Sequence, residues 1–426
     1  MIFENSLDFA KQLDAADKLK DFRSKFYIPI INGQECIYFT GNSLGLQPKT
    51  TQDYVLNELE DWASFGVEGH FNARQPWFSY HEIFPQLLTN IVGALPEEIV
   101  VMNQLTVNLH LLMASFYQPT KERFKIICEA KAFPSDQYAF QSQVKLHGLN
   151  AVDAIIEVSP KEGTELITSG DILATIEAHK DSVALVLFSG VNYYTGQVFD
   201  IKKITDAAHK AGAYAGFDLA HAAGNIHLQL HDWQVDFACW CNYKYLNSGP
   251  GAIAGAFVHQ KHLHNKELKR LEGWWGNTAA NRFKMGNTFT PSPSAESWSM
   301  STSPMMLLAT HKASLEIFAA AGFDNLITKG KALSAYLFFV LNHINQAEEK
   351  FSIITPIDPG ERGCQVSLSI PKNAKAVFDR LLPLGIFADW REPNVIRVAP
   401  VPLYNSFEEI YIFAEILQQI LKAANV

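Results

Sequence analysis

The chain has 426 residues, 48% of them hydrophobic and 19% charged, which is enough for one large globular domain and a smaller partner. A net charge of −9, without any compensating basic tract, argues against a polyanionic partner such as nucleic acid. No segment approaches the ~20 apolar residues of a membrane span, and the charged N-terminus lacks the apolar core of a signal peptide. We therefore expect a cytoplasmic protein.

From about residue 98, short apolar runs typical of strands alternate with segments of helical periodicity. In chain order the predicted elements are strand 99–102, a helix from Thr106, strand 124–128, a helix from Ser135, strand 154–158, helix 171–180, strand 183–188, helix 201–211, strand 214–217 and strand 236–241. This βαβ succession predicts a mainly parallel sheet with helices on both faces.

The alternation breaks at 273–303, a stretch rich in Gly, Asn, Ser, Thr and Pro. So long an irregular connection is more often functional or at an interface than idle. The elements predicted after it are two helical segments up to about 342, strands 351–355 and 365–370, a helix near 374–382, strand 395–398 and helix 407–423. We expect three parts, which are an N-terminal segment (1–40) packing with the small domain, a large domain (41–304) and a small α+β domain (305–426).

Polar residues follow several of these apolar runs, and Lys244 is the most informative of them because it lies twenty-six positions after Asp218. A pyridoxal phosphate enzyme needs such a pair. The amine forms a Schiff base with the cofactor aldehyde, and the carboxylate keeps the pyridine nitrogen protonated. Ser189, His221 and Tyr243 also follow strand-like runs, where open α/β sheets bind their ligands. A structural Asp218–His221 ion pair is the competing interpretation.

Two strand-to-helix turns have residues suited to a phosphate group. Thr106 stands at a helix start, where free backbone N–H groups and a hydroxyl favour an anion. Phe133, Ser135 and Asp136 occupy the next turn of this kind and add an aromatic ring that can stack on a pyridine. Simple helix capping with a core phenylalanine is the alternative for each turn.

Cys239 and Cys241 are the only close pair among five scattered cysteines, and their spacing in a strand puts both thiols on one face. Neither a second thiol pair nor helix-spaced histidines accompany them. We interpret them as small buried hydrophobic residues of a reduced protein, and we predict no metal site.

Arg397 interrupts an apolar strand of the predicted small domain. Its guanidinium can hold a substrate carboxylate in a bidentate manner and so orient an amino acid over the cofactor. Arg362 and Arg391 are rivals for this role, and an outward-facing strand arginine is the plain alternative.

Five motifs together closely resemble the kynureninase family, over the chain from about residue 38 to the C-terminus. They are 41–45 (Gly-Asn-Ser-Leu-Gly), 133–136 (Phe-Pro-Ser-Asp), 216–221 (Gly-Phe-Asp-Leu-Ala-His), 239–247 (Cys-Trp-Cys-Asn-Tyr-Lys-Tyr-Leu-Asn) and 396–404 (Ile-Arg-Val-Ala-Pro-Val-Pro-Leu-Tyr). The resemblance implies a PLP-dependent transferase-like (fold type I) large domain with a smaller α+β C-terminal domain, and homodimers with cofactor sites at the subunit interface. It also implies hydrolysis of L-kynurenine to anthranilate and L-alanine, often of 3-hydroxykynurenine as well, in tryptophan catabolism or NAD precursor supply.

The same resemblance assigns the site residues. Lys244 becomes the Schiff-base lysine, Asp218 the partner of the pyridine nitrogen, Phe133 the ring-stacking aromatic, and Tyr243 a catalytic proton donor. The remaining cofactor-binding residues are Leu105, Thr106, Pro134, Ser135, Asp136, Ser189, His221, Tyr243, Trp274 and Thr302, with Trp274 reaching over from the other subunit. The substrate-binding residues are Ser43, His70 and Arg397.

One motif departs from the family, and three other classes of protein stay open. Family members usually show Asn or Thr followed by two prolines near residue 302, whereas this chain reads Ser-Thr-Ser-Pro at 301–304. A cysteine desulfurase or aminotransferase of the same fold would share the Lys244–Asp218 pair but use a catalytic cysteine or release a keto acid. A nicotinamide-dependent dehydrogenase needs a Gly-x-Gly-x-x-Gly turn after its first strand, which 249–255 does not supply. A non-catalytic binding protein on this scaffold would have lost the lysine.

Overall fold

A computed structural model describes residues 2–346 and 349–423 of the chain. The first part builds short elements before the main sheet. They are α1 (Leu7–Ala16), β1 (Ile30–Ile31), β2 (Gln34–Glu35), β3 (Ile37–Tyr38), α2 (Thr51–Phe65), α3 (Gly69–Asn72) and α4 (Phe84–Val92). Ser6 caps α1 by accepting a hydrogen bond from the Phe9 N–H. Asn32 and Gly33 both have positive φ, which is what the tight β1–β2 turn requires.

The middle of the chain alternates strands and helices, as the periodicity predicts. In chain order these elements are β4 (Ile99–Met102), α5 (Leu105–Phe116), β5 (Lys125–Glu129), α6 (Pro134–Leu146), α7 (Ala151–Ala154), β6 (Ile155–Val158), α8 (Ser169–Ala178), β7 (Val183–Ser189), α9 (Ile201–Lys210), β8 (Tyr214–Asp218), β9 (Phe237–Cys241), β10 (Ala254–Val258), α10 (Gln260–Leu263) and α11 (Ala279–Arg282). The residues of β4, β7 and β9 are mostly apolar and nearly all buried, as expected of strands covered on both faces.

Seven of these strands form one sheet in the order β4-β10-β9-β8-β7-β5-β6. β9, β8, β7, β5 and β6 run parallel to one another, so their carboxyl ends meet at one edge. β10 runs antiparallel to both β4 and β9, and the sequence analysis did not anticipate this strand. Because Gly255 of β10 lies against the Trp240 ring, a Cβ at that position would come 2.2 Å from the indole.

The last part holds two long helices, a small sheet and a final helix. Its elements are α12 (Met305–Ala321), α13 (Phe323–Asn345), β11 (Ser352–Ile353), β12 (Val366–Ser369), α14 (Ala374–Leu381), β13 (Ile386–Phe387), β14 (Asp389–Arg391), β15 (Val395–Val398) and α15 (Phe407–Ala423). The four-stranded antiparallel sheet has the order β11-β12-β15-β14. α13 and α15 pack together beside it, and their apolar residues share one core with the sheet.

The N-terminal segment packs with this small sheet and its helices. α1 lies on α15, β3 pairs in parallel with β13, and the side chains of Ala10 and Phe39 belong to the small-domain core. α12 instead packs on α2 and α4, and Leu308 and Leu315 lie in the core of the large sheet. The predicted boundary between the large and small domains at residue 305 stays a prediction. α12 follows this boundary in the chain but packs on elements of the large domain.

Candidate active site

The carboxyl ends of the parallel strands border a cavity. Its lining residues are Leu105, Thr106, Glu129, Phe133, Ser135, Asp136, Ser189, Val191, Tyr193, Asp218, Ala220, His221, Tyr243 and Lys244. Strand register explains part of this gathering, since Ser189 of β7 is the direct partner of Asp218 on β8. The residues predicted at strand ends all line this cavity, and they are Ser189, Asp218, His221, Tyr243 and Lys244. Pro134, which begins α6, lies in the chain between the lining residues Phe133 and Ser135.

Lys244 and His221 form the contact at the centre of the cavity. The Lys244 Nζ lies 3.1 Å from Nε2 of His221. Burial and the positive charge of Lys244 hold the pKa of His221 well below its ordinary value, so the imidazole is neutral. Its Nε2 accepts a hydrogen bond from the Lys244 Nζ. Its Nδ1 then carries hydrogen, and this buried atom has no hydrogen-bond partner among the described residues.

Asp218 and Asp136 form a buried carboxyl pair. Burial and the negative charge of Asp218 hold the pKa of Asp136 well above its ordinary value, so Asp136 keeps a proton that it donates to Asp218. Burial also raises the pKa of Asp218, but the Lys244 charge and the backbone N–H of Ala220, 2.7 Å from Oδ1, favour its ionised form. Asp218 is therefore the carboxylate of the pair.

Glu129, at the end of β5, is a cavity residue that the sequence analysis missed. Both of its carboxyl oxygens accept from the Ser189 backbone N–H, at 3.1 and 3.2 Å. Burial raises the pKa of Glu129 to about 7. The sequence did contain a signal for Glu129, because an acidic residue there ends an apolar strand next to a predicted cofactor turn. The signal is weak, since a glutamate at a strand end is usually solvated.

The two helix starts predicted to bind a phosphate lie side by side. The hydroxyl oxygens of Thr106 and Ser135 are 2.7 Å apart. Neither α5 nor α6 receives a side-chain N-cap, so backbone N–H groups of both first turns are available to an anion. This end of the cavity has the donor set that a phosphate requires.

Phe133 forms an aromatic wall of the cavity. Its ring is 44% exposed, and the Lys244 Nζ lies 5.9 Å from its centroid. Tyr193, another residue that the sequence analysis missed, packs edge-on against Phe133 with ring centroids 5.3 Å apart. The signal at 193–194 was only a pair of tyrosines in a turn, and such pairs have no chemical specificity.

Tyr243 supplies a phenol next to the lysine. Burial and the neighbouring thiol of Cys241 raise its pKa, so the phenol keeps its proton at neutral pH. A protonated phenol in this position can donate to a phosphate oxygen or to a carbon that is becoming negatively charged.

The residues present fit pyridoxal phosphate. The cavity offers an amine, an ionised carboxylate, an exposed aromatic face and a two-helix anion site. Besides Nδ1 of His221, one oxygen of Asp136 is buried without a hydrogen-bond partner among the described residues. Buried polar atoms of this kind are normally satisfied, which indicates that a polar ligand belongs in the cavity.

The loop at 41–45 lies against the backbone beside Lys244, although Ser43 is exposed and does not line the cavity. The Gly45 N–H donates to the Tyr243 carbonyl at 2.8 Å. A Cβ on Gly45 would come 2.4 Å from the Lys244 carbonyl oxygen, so this close approach requires glycine.

Trp274, Thr302 and His70 do not line the cavity in this chain. The Trp274 indole is 46% exposed, and its N–H donates to the Arg282 carbonyl at 2.9 Å. Thr302 is exposed, and His70 packs edge-on against Trp77 at 5.5 Å. These predicted residues lie outside the cavity.

Trp274 and His70 instead border an exposed apolar surface, which we call the aromatic surface. Rings in contact link α3 to the irregular stretch in the order Phe71, Phe78, Phe283 and Trp274, with successive centroids 6.2, 5.2 and 5.5 Å apart. The other exposed apolar side chains of α2 and these segments are Leu56, Leu59, Trp62, Phe65, Val67, Leu271 and Met285. Exposed apolar side chains grouped around linked rings are typical of an interaction site.

Arg397 is fully buried and does not line the cavity. Its guanidinium donates to the Asp389 carboxylate and to the Tyr193 carbonyl. The rival Arg362 is also buried, and its Nε and Nη1 donate to Ser334 and to two backbone carbonyls. Arg391 is half-buried and pairs with Asp389.

The five cysteines are free and buried, Cys239 and Cys241 included, and burial raises the pKa of each thiol. Glu98, His231 and His259 lie close enough to hold a metal ion. However, the Glu98 oxygens already accept from the Leu95 and Gln260 N–H groups, and the two imidazoles stack with planes 7° apart. Lone pairs in parallel rings do not converge on one ion, so the cluster is a hydrogen-bonded structural network.

Among residues 2–346 and 349–423, no helix combines the length and apolarity needed to cross a membrane.

Comparisons with known proteins agree with this geometry. A family model described as "Aminotransferase class-V" matches residues 37–356, and one described as "Kynureninase C-terminal domain" matches residues 326–417. The chain is 56% identical to the kynureninase of Flavobacterium psychrophilum, over 98% of this chain and 99% of that protein. It is 47% identical to the kynureninase of Mus musculus, over 97% of this chain and 93% of that protein.

Solved structures of lower identity share the fold. A cysteine desulfurase from Thermococcus onnurineus NA1, solved in its apo form, superposes with a TM-score of 0.73 at 18% identity, covering 95% of this chain and 98% of that one. The cystine C-S lyase C-DES, in complex with its product cysteine persulfide, gives a TM-score of 0.75 at 17% identity, covering 90% and 97%. At these identities the likeness concerns the fold.

Proposed function

The chain belongs to the kynureninase family, and on this premise we propose that it hydrolyses L-kynurenine to anthranilate and L-alanine in the Lys244 cavity. It is a pyridoxal phosphate-dependent hydrolase acting on a carbon–carbon bond. The proposal rests on one observation, which is that Lys244, neutral His221 and the Asp136–Asp218 pair lie together at one cavity. We extend the proposal to 3-hydroxykynurenine as a second substrate.

The cysteine desulfurase alternative does not suit this chain. That chemistry requires an accessible thiol that ionises, whereas all five cysteines are buried and burial raises their pKa values. The likeness to the desulfurase structure therefore supports the scaffold, and not the sulfur chemistry.

When bound, pyridoxal phosphate supplies an aldehyde for the Lys244 amine and for the substrate amine, and a ring that withdraws electrons. In our proposal Thr106, Ser135 and the first turns of α5 and α6 hold its phosphate, and Phe133 covers one face of its ring. Asp218 keeps the ring nitrogen protonated, since Asp136 and Ala220 hold its carboxylate ionised.

Proton transfers are assigned to two neighbouring residues. The Lys244 Nζ would take the proton from the substrate α-carbon, and Nε2 of neutral His221 would accept a hydrogen bond from the ammonium that results. The oxygen of one water bonds to the γ-carbon, the bond between the β- and γ-carbons breaks, and anthranilate leaves first, while the proton that the water releases is the one that restores the Tyr243 phenol after the next step. The Tyr243 phenol then protonates the β-carbon, a role suited to a group that keeps its proton at neutral pH.

Substrate recognition is assigned to Arg397, Ser43 and His70. Arg397 takes the α-carboxylate, because it is the buried arginine whose carbonyl partner, Tyr193, itself lines the cavity. Ser43 lies on the loop that touches the backbone beside Lys244. His70 borders the aromatic surface, so in this proposal it acts on a site that a second subunit completes.

We propose a homodimer in which a second copy covers the aromatic surface. Two facts support it, namely the linked exposed rings from Phe71 to Trp274, and the position of Trp274 and Thr302 outside their own cavity. Trp274 of each subunit then reaches the cofactor phosphate of its partner, and Thr302 does so as a further phosphate ligand.

The enzyme is further proposed to be cytoplasmic and to serve tryptophan breakdown or the supply of a precursor for NAD. Five free cysteines without any disulfide fit a reducing compartment.

The experiment is to add L-kynurenine to the purified holoenzyme and to quantify anthranilate by fluorescence and alanine by chromatography. We expect equal amounts of the two products from the holoenzyme, and neither product from the protein without added cofactor. Release of a keto acid or of sulfide from other amino acids, without anthranilate, would contradict the proposal and favour another enzyme of this fold. Repeating the assay with 3-hydroxykynurenine tests the second substrate.

A further inference from the structure

The surroundings of Arg397 indicate how a carboxylate-binding group of the small domain is fixed in place. Arg397 is on β15 and is 0% exposed. Its cross-strand partner on β14 is Asp389, whose carboxylate accepts from one end of the guanidinium. The other end donates to the Tyr193 carbonyl at 2.5 Å, and Nε is buried without a partner among the described residues.

The charges around Arg397 do not cancel. Asp389 accepts from Arg391 as well, at 2.6 Å, so one carboxylate serves two guanidinium groups and the cluster has one net positive charge. The positive charges of Arg397 and Arg391 both contribute to holding the pKa of His221 low. The cluster is therefore within electrostatic reach of the cavity and has a positive charge to offer an anion.

Tyr193 joins this cluster to the cofactor wall. Its carbonyl accepts from Arg397 and also from the Gln365 Nε2 at 3.0 Å, both from the small domain. Its ring lines the cavity and packs on Phe133. The position of the Arg397 guanidinium is thus tied by direct contacts to the ring that would stack on the cofactor.

We propose that Asp389 is a positioning residue, which holds the Arg397 guanidinium against the Tyr193 carbonyl so that its unpartnered Nε–H and the surplus positive charge serve the substrate α-carboxylate. The inference rests on the proposed function, because that function makes Arg397 the carboxylate ligand. A buried ion pair that merely stabilises the fold is the competing explanation, and the two differ in what they predict for ligands with and without a carboxylate.

The test compares two inert ligands on the holoenzyme by calorimetry. One is kynurenine lacking its α-amine, which keeps the carboxylate but cannot react with the cofactor, and the other is the same aryl ketone without the carboxylate. The ratio of their affinities isolates the carboxylate contribution and does not depend on the folded fraction. Asp389→Asn keeps an acceptor oxygen but removes the charge, and Asp379→Asn is the matched control on an exposed ion pair of the same domain.

For Asp389→Asn we expect the affinity ratio to fall at least about tenfold, the scale of a lost hydrogen bond to a charged group. The Michaelis constant for L-kynurenine should rise while kcat changes little, and Asp379→Asn should leave both unchanged. An unchanged ratio in Asp389→Asn, with equal losses for both ligands, would overturn positioning and leave a structural ion pair. A raised ratio would also overturn it, because Asp389 would then compete with the substrate for Arg397.

Arg397→Ala separates this inference from the proposed function. If Arg397→Ala abolishes the carboxylate contribution and Asp389→Asn does not, only the positioning role of Asp389 fails. If Arg397→Ala leaves the ratio intact, the assignment of Arg397 as carboxylate ligand fails, and the inference fails with it.

Discussion

The cavity around Lys244 and the aromatic surface from Phe71 to Trp274 differ in how complete they are within one chain. Most of the residues predicted to hold the cofactor line the cavity, and several of them contact one another. The aromatic surface is exposed, and the predicted site residues near it do not line that cavity.

The difference shows which part of the chemistry a single subunit can organise. Parallel strands bring their carboxyl ends together, so the electron-withdrawing and proton-transfer groups assemble from one chain. No such rule places the side chains of the irregular stretch 273–303. In our proposal these side chains reach a cavity only across the two-fold axis of the dimer. Variants of the two regions should therefore behave differently.

The largest effect is expected for Lys244→Ala, which removes the amine that binds the cofactor covalently. Turnover should fall to background, and the absorbance of the covalently bound cofactor should disappear from the spectrum of the purified protein. Lys244→Arg is the matched control for charge, because a guanidinium keeps the positive charge but cannot replace the amine. Residual turnover in either variant would refute the assignment.

A smaller but still large loss is expected for Asp218→Asn, which removes the negative charge next to the ring nitrogen. The cofactor should still bind covalently, while kcat falls on the order of a hundredfold or more. Asp136→Asn is the matched variant in the same pair. Because Asp136 keeps its proton and donates it, an amide N–H replaces it well, and its loss should be much smaller. Equal losses would show that the charge assignment within the pair is wrong.

Trp274→Ala tests whether the aromatic surface supplies a residue to the partner. Cofactor affinity and turnover should fall, since a phosphate ligand from the other subunit is lost. Mixed and refolded with Lys244→Ala subunits, the variant should recover activity to roughly a quarter of wild type. Half of the dimers are then heterodimers, and each heterodimer has one intact site.

The control mixture combines Lys244→Ala with Asp218→Asn. Both residues line the same cavity of one chain, so no heterodimer contains an intact site and no activity should return. Recovery in this mixture, or failure of the Trp274 mixture when sedimentation shows heterodimers, would contradict the division between the two regions.

The smallest effect is expected for Glu129→Gln and concerns stability. Burial raises the pKa of Glu129 from its ordinary value of 4.5 to about 7, so the folded protein binds this proton more tightly than the unfolded chain. The stabilisation is complete below the unfolded pKa and is lost as pH rises through the folded pKa, a change of ~3 kcal/mol at most. Glutamine removes this dependence.

The free energy of unfolding of the cofactor-free protein should therefore decline less in Glu129→Gln than in wild type between about pH 5 and about pH 8. Denaturant titration at both pH values measures it. Glu157→Gln, on the exposed edge of the neighbouring strand β6, is the control and should follow the wild-type decline. The same decline in both variants would show that Glu129 does not bind the proton.

The periodicity of the sequence predicted most of the strands and helices that position the site, and two strands, 99–102 and 395–398, match the structure residue for residue. It did not predict β10, because Ala254–Val258 is a short apolar run followed only by the four-residue helix α10, which is too short to mark a βαβ unit. Its antiparallel place between β4 and β9 is decided by pairing with strands distant in the chain.

By itself the sequence determined the local chemistry, namely which side chains end strands or begin helices, since residue type and spacing fix that information. It therefore named Lys244, Asp218, Ser189 and Thr106 as site residues, and the structure places all four at one cavity. Only the tertiary structure decided which distant partners these groups meet. Strand order and domain packing decide three such contacts, namely those of Glu129 with Ser189, of Tyr193 with Phe133 and of Asp389 with Arg397. The physical reason is that a contact between distant segments depends on how the whole chain folds, and a local pattern carries no record of it.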